Sequence, residues 1–328
     1  MFDLLSQLGH IAWFIVFPVL LLVGLGFVLQ RVFGMDMKTL VRLNFYVVVP
    51  AVIYVKVVST KLTGSDVFLI MGFHLICQAV LAGLTLLVAQ LRGIPRDQRR
   101  AMVMGSIFYN SGNFGLPVQE MAFRSRGYGD QALAIQVFVM LTQNVTTFTI
   151  GVFLAAGSFT RKQAMANLKH VMRFPPLYAL LAAMITIYVG THYVESAESI
   201  AYALSPIWES LNYMAKGFVV VALVTTGAQL ALVKFGHKKY PVRWTLFLRL
   251  IIGPAIGLAL IFLFGLEGKG LYAQVLLISC ASPVSVNSVL MCIEFDNHPD
   301  YQAQSVFYST IFSPITVTST ILLAQVLF

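Results

Sequence analysis

The chain has 328 residues, 58% of them hydrophobic and 11% charged, with a mean hydropathy of +0.82. A typical soluble domain carries about 25% charged residues, so this composition excludes one and makes membrane lipid the surroundings of most of the chain. The formal net charge of +9 sits mainly in short loops between apolar runs, which fits topology signals and excludes a basic face for nucleic acid.

Residues Leu4 to Gln30 carry no charge and form predicted span one, with Pro18 inside. The start, Met1-Phe2-Asp3-Leu4, lacks the basic region of a cleaved signal peptide, so this run is expected to be retained. Span two covers about Leu43 to Val58, with Pro50 and Lys56 inside, and span three about Val67 to Leu91. Span four is the apolar run Ala101 to Gln119, and span five runs from about Gln131 to Ala156 with Gln143 and Asn144 inside. A basic linker, 158–174, follows. Span six starts at Pro175-Pro176 and ends near Gly190, and an acidic stretch holds Glu195 and Glu198. Span seven covers about Pro206 to Val233, span eight Thr245 to Phe264, span nine Leu271 to Ile293, and span ten Gln302 to the end. About ten helical spans are predicted in an all-α integral membrane protein.

Positive charge orients them. With the N-terminus outside, the inside loops hold 15 of the 22 Lys and Arg and the outside loops five, leaving Lys216 and Arg249 within spans. That bias places both termini outside. The linker divides the chain into residues 1–157 and 175–328, each with five spans. An odd number per half inverts the second half relative to the first.

Two spans are poor continuous helices. Span four contains Tyr109-Asn110-Ser111-Gly112-Asn113-Phe114-Gly115-Leu116-Pro117, and span nine contains Ser282-Pro283-Val284-Ser285-Val286-Asn287-Ser288. Proline removes a donor and clashes one turn back, and glycine weakens a helix. In hydrocarbon, broken backbone survives only where it is buried in protein or lines a cavity. Interrupted spans at corresponding places in two inverted halves point to a transporter site, here with spans four and nine crossing near the midplane. Half-helix starts offer partial positive charge to an anion. The predicted site is Asn110, Ser111, Gly112, Asn113, Ser285, Asn287 and Ser288, with Gly115, Pro117 and Pro283 making the breaks. A kinked packing helix is the plain alternative for either stretch.

The sequence Asn110-Ser-Gly-Asn-Phe-Gly-Leu-Pro117 resembles the broken fourth span of the auxin efflux carrier family, which includes bacterial carboxylate transporters and plant auxin exporters. Ser282-Pro283 through Glu294-Phe-Asp-Asn-His-Pro-Asp300 is similar to the ninth span and its closing turn, and Pro50 fits the second span. The resemblance implies ten helices with crossed helices four and nine, elevator-like motion, small organic anions as substrates, a bacterial inner-membrane location and association as a homodimer. Where plant members carry a second proline after the ninth-span break, this chain has Asn287-Ser288, and it lacks their long central loop. A small mono- or dicarboxylate therefore fits better than an indole-sized auxin-like acid.

Ionisable groups at membrane depth are candidates for coupling. Glu209 and Lys216, seven apart, share one helix face. Glu120 follows Pro117 by three residues, and Lys56 lies about a turn beyond Pro50. Arg249 is expected to snorkel toward the nearby basic loop, and His74 to be packed. Neither break contains an acidic residue, which favours proton coupling or no coupling over sodium. Competing readings are a sodium-coupled symporter of the bile-acid type and, in a different class, a receptor or channel-like protein. An enzyme is not expected: HExxH, GxSxG and GxxxxGK[ST] are all absent. Cys77, Cys280 and Cys292 fall in or beside apolar runs, so no disulfide framework is expected, and the His and Cys spacing suits no metal or other cofactor.

Overall fold

Apolar runs that must satisfy their own backbone in lipid can only be helices or a closed barrel, and this chain takes the first course. The computed structural model describes residues 2–60, 62–156, 175–192, 194–233 and 240–328, with side chains from 4 onward except 191–203. The basic linker 158–174 and the basic residues within 234–239 lie outside the described residues.

Five long helices need no qualification: α1 (Leu4–Phe33), α2 (Met37–Val58), α3 (Gly64–Leu91), α6 (Gly129–Ala156) and α13 (Pro299–Leu327). α4 (Arg96–Ile107) and α5 (Leu116–Arg124) are the two halves of span four. α7 (Pro175–His192) follows. α8 (Val194–Lys216) and α9 (Phe218–Ala231) join at Gly217 into one crossing, and α10 (Val242–Leu263) is another. α11 (Leu271–Ser279) and α12 (Val286–Glu294) are the halves of span nine. Among the described residues, seven helices are long and apolar enough to cross a membrane. Among the described residues there is no strand, only one isolated bridge. The chain is an all-helical, multi-pass membrane protein.

Local sequence sets the ends. Asp36 caps α2 by accepting from the N–H groups of Lys38 and Thr39, and Thr63 with Asp66 forms a capping box on α3. Gly34 takes the left-handed conformation (φ 60°) that closes α1.

Four prolines have a common local effect. The π-helical turns Ala12–Val16, Asn44–Val48, Ser111–Gly115 and Leu248–Ile252 each end two residues before a proline: Pro18, Pro50, Pro117 and Pro254. A proline ring collides with the carbonyl four residues back, and here that carbonyl belongs to Phe14, Tyr46, Asn113 or Leu250, the middle residue of the wide turn. Widening the turn moves the carbonyl aside while the helix continues. Pro206 behaves differently. The membrane-crossing stretch, Leu204–Ala231, lies within two residues of the predicted span seven, but its helix starts earlier: α8 begins at Val194 and carries helix through the acidic stretch and the proline.

α1 packs along α9, and α2 packs along α7. The first contact is unusually close. A Cβ on Gly227 would lie 1.9 Å from the Val23 carbonyl oxygen, and one on Gly26 would lie 2.1 Å from that of Val224.

Candidate functional site

The two breaks meet as a reciprocal pair. The Asn110 N–H donates to the Pro283 carbonyl at 2.8 Å, and the Ser285 N–H donates to that of Phe108 at 3.0 Å. Tyr109 and Val284 thus form a single antiparallel bridge where both helices are unwound. Proline at 283 is compatible because only its carbonyl is used. Beyond the bridge, both chains re-enter helix. The Ser285 hydroxyl caps α12 by accepting from the Asn287 N–H at 3.2 Å, and the Gly115 N–H reaches back to the Asn110 carbonyl at 2.9 Å.

Breaking two helices in an apolar layer frees carbonyls that need donors. Long amide side chains supply several. Gln143 donates to the Ile107 carbonyl (3.2 Å) and accepts from Gln78 (2.5 Å), and Gln136 donates to the Ser111 carbonyl (2.9 Å). Two more amides brace carbonyls within the half-helices themselves: Gln119 reaches that of Val275 at 2.9 Å, and Gln302 donates to that of Ala101. Arg249 serves both breaks. Its Nη1 donates to the Ser106 carbonyl at 3.1 Å and its Nη2 to that of Cys280, with the guanidinium 4.6 Å from the centre of the Tyr109 ring. It is 2% exposed, so the expected snorkelling does not occur. The carbonyl ends of two interrupted helices hold it instead. His74 is buried with a ring nitrogen hydrogen-bonded to the Tyr109 hydroxyl.

A cavity of about 70 Å³ opens beside the bridge, enough for a few waters at about 10–15 Å³ each. Asn110, Ser111, Gly112 and Asn113 line it from the first break, and Ser285 and Asn287 from the second. The predicted site residues therefore converge, with one exception. Ser288 is fully buried and turns into the helix packing, donating to the Ser285 carbonyl at 2.6 Å. A larger cavity of about 660 Å³ shares Val41, Gln229, Val286 and Leu290 with the first and is bounded by Lys38, Arg42, Val233 and Asp300. It is mostly apolar, and it opens on the side of the basic loops.

Gly115 makes way for the network, since a Cβ there would sit 2.6 Å from the Gln136 amide nitrogen. Pro117 opens α5, and its clash widens the turn that presents Asn113. Asn44 on α2 was missed by the sequence reading, and it is fully buried. Its amide donates to Asn113 Oδ1 at 2.8 Å, while its own carbonyl oxygen has no partner. Gln229, another lining residue, was missed too. Both are lone polar residues in apolar spans, the same signal that singled out Gln143.

The coupling candidates lie elsewhere. Lys56 pairs with Asp130 at 2.5 Å, tying α2 to α6 away from the cavity. Glu120 is half-buried on α5 and does not line the cavity. Glu209 and Lys216 are both exposed and form no ion pair among the described residues, and the Lys216 ammonium lies 5.2 Å from the Tyr213 ring centre. Seven-residue spacing put them on one face as expected, but that face points out of the bundle. No cluster of three or more His, Cys, Asp or Glu suited to a metal ion occurs among the described residues.

Comparison with known proteins agrees with this architecture. Residues 12–321 match the family described as membrane transport protein. The chain is 26% identical over 309 residues to an uncharacterized transporter of Methanothermobacter thermautotrophicus, covering 92% of this chain and 95% of that protein. It is 24% identical over 316 residues to an uncharacterized transporter of Methanocaldococcus jannaschii, covering 92% and 96%. A match over nearly the whole chain, including both breaks, shows that the chain belongs to the membrane transport protein family, the auxin efflux carrier family that its broken spans resemble.

Proposed function

We propose that the protein is a secondary transporter of small organic anions that works by alternating access around the two breaks. The observation that carries this reading is the cavity at the crossing, where two helices restart and Asn110, Ser111, Asn113, Ser285 and Asn287 line one small space. Helix starts favour anions, and the apolar cavity beside it suits the hydrocarbon part of a carboxylate.

The helix pairings support two inverted halves on either side of the 158–174 linker. α1 against α9 joins the first span of one half to the second span of the other. α2 against α7 does the same in reverse, so exchanging the halves interchanges the two contacts. Access supports a state open toward the basic loops: the larger cavity leads that way, while Lys56 and Asp130 join the opposite ends of α2 and α6. The reciprocal bridge ties the breaks into one unit, which supports an elevator-like displacement of that unit against α1, α2, α7 and α9. With the basic loops cytoplasmic, both termini lie outside the cell membrane.

A thermal-shift screen of the purified protein tests the reading. Acetate, malonate, succinate and benzoate are added at two pH values, with and without sodium. A ligand of the folded state raises the melting temperature as its concentration passes its Kd. The expected result is stabilisation by at least one carboxylate, lost in Asn110→Ala. Stabilisation only by an amphipathic sterol acid together with sodium would replace this reading with a bile-acid-type symporter. Silence throughout would remove the anion claim.

A further inference from the structure

Arg249 lines no part of the small cavity, yet it occupies the position from which both breaks are reached at once. It holds the carbonyl end of α4 through Ser106 and that of α11 through Cys280, and it lies over Tyr109, whose residue lines the cavity. It forms no ion pair among the described residues. A buried guanidinium without a carboxylate is costly in a membrane interior. Neutral amides already do the hydrogen-bonding part of this task elsewhere at the crossing, where Gln143 holds the Ile107 carbonyl and Gln136 that of Ser111. The charge itself therefore needs a reason.

The helix ends supply it. Each interrupted helix presents roughly −0.5 charge at its C-terminal end and +0.5 at its N-terminal end. Two of each meet at this crossing. Without a cation the C-terminal ends would offset the field of the N-terminal ends in the cavity. One guanidinium on the two C-terminal ends cancels them and leaves the N-terminal ends uncompensated.

We propose that Arg249 is the positioning residue that sets the charge of the site: it leaves the empty crossing with one net positive charge, so that a monoanion brings it to balance. This rests on the anion-transport reading and narrows it. A monocarboxylate is preferred both to its neutral amide, which leaves the charge unmet, and to a dicarboxylate, which overshoots it.

The test compares benzoate, benzamide and phthalate by thermal-shift titration of the full-length protein at pH 7. Wild type is expected to bind benzoate about tenfold or more tightly than either of the other two, as one charge acting across a side-chain layer at intermediate dielectric would give. Arg249→Gln, which keeps a donor but not the charge, is expected to bind benzoate and benzamide about equally. Arg249→Lys is expected to retain the preference. A purely structural arginine would lower the melting temperature in both variants and leave the benzoate-to-benzamide ratio unchanged, which overturns the proposal. Should Arg249→Gln not be recovered, wild type decides alone: benzamide binding as well as benzoate overturns it. Absence of any shift with benzoate, acetate, malonate or succinate defeats the anion-site reading itself, whereas a benzoate preference that persists in Arg249→Gln defeats only the role of Arg249.

Discussion

At the crossing, four half-helices meet through hydrogen bonds from Gln136, Gln143 and Arg249 to carbonyls that the breaks release. Where α1 passes α9, by contrast, Gly26 and Gly227 let one backbone touch another with no side chain between. Close backbone approach through small residues is a common way to pair helices in lipid, where no hydrophobic drive brings them together. It has one good distance and no substitutes. A polar seam can trade partners with water or a solute. Under the proposed elevator-like mechanism this is a division of labour: the glycine contact would keep a fixed frame, while the polar crossing would hold the part that changes partners.

The sharpest way to break this comparison is Gly227→Ala. Its methyl carbon would overlap backbone that cannot rotate away, so a loss of about 3 kcal/mol or more is expected, at the upper end for overpacking. The recovered fraction of monodisperse protein on size exclusion and its melting temperature check it. Near-normal stability would mean that the α1–α9 contact is not rigid.

At the crossing, Gln143→Leu keeps the volume but strands the Ile107 carbonyl and the Gln78 amide. Each unmet buried group costs about 1–3 kcal/mol, less whatever water recovers from the adjoining cavity. A melting temperature lowered less than in Gly227→Ala is expected, and a larger drop would reverse the ranking of the two seams.

The smallest effect belongs to Lys56→Gln. The Asp130 side chain is 64% exposed, so the pair is worth about 0.2–1 kcal/mol after screening. Less than about a fivefold change in access is expected. It can be read as the rate at which a membrane-impermeant maleimide, added on the side of the basic loops, labels Asn287→Cys. The native cysteines are all buried. Removing the pair should slow labelling from that side, and faster labelling would show that Lys56 does not hold the opposite ends together.

Much of this was legible in the sequence because lipid permits so few solutions. Runs of apolar residues gave the spans, and Asn, Gly, Ser and Pro inside two of them gave the breaks to within a few residues. What failed depended on direction across space. The seven-residue spacing of Glu209 and Lys216 fixes a shared face but not which way the face points. Arg249 lies near a basic loop in sequence, yet the unmet carbonyls of Ser106 and Cys280, more than 140 and 30 positions away, draw it inward. Asn44 and Gln229 carried the same mark as Gln143, a lone polar group in an apolar span. Nothing in the sequence says that either reaches the breaks, which only the packing of α2 and α9 against them shows.

The proline-linked wide turns carry a further consequence. A π turn admits one residue more than an α turn, which shifts the helix beyond it by about 100° relative to the helix before. In α10 the buried side of the helix shifts in this way, from Val242, Thr245 and Leu248 before the turn to Gly253, Gly257 and Ile261 after it. A helical wheel drawn straight through that turn mixes lipid-facing and protein-facing positions. Each wide turn is also a place where the chain could have gained a single residue without disturbing the loops at either end. In an evolutionary comparison, these are the positions where an alignment gap would fall inside a membrane helix rather than between two of them.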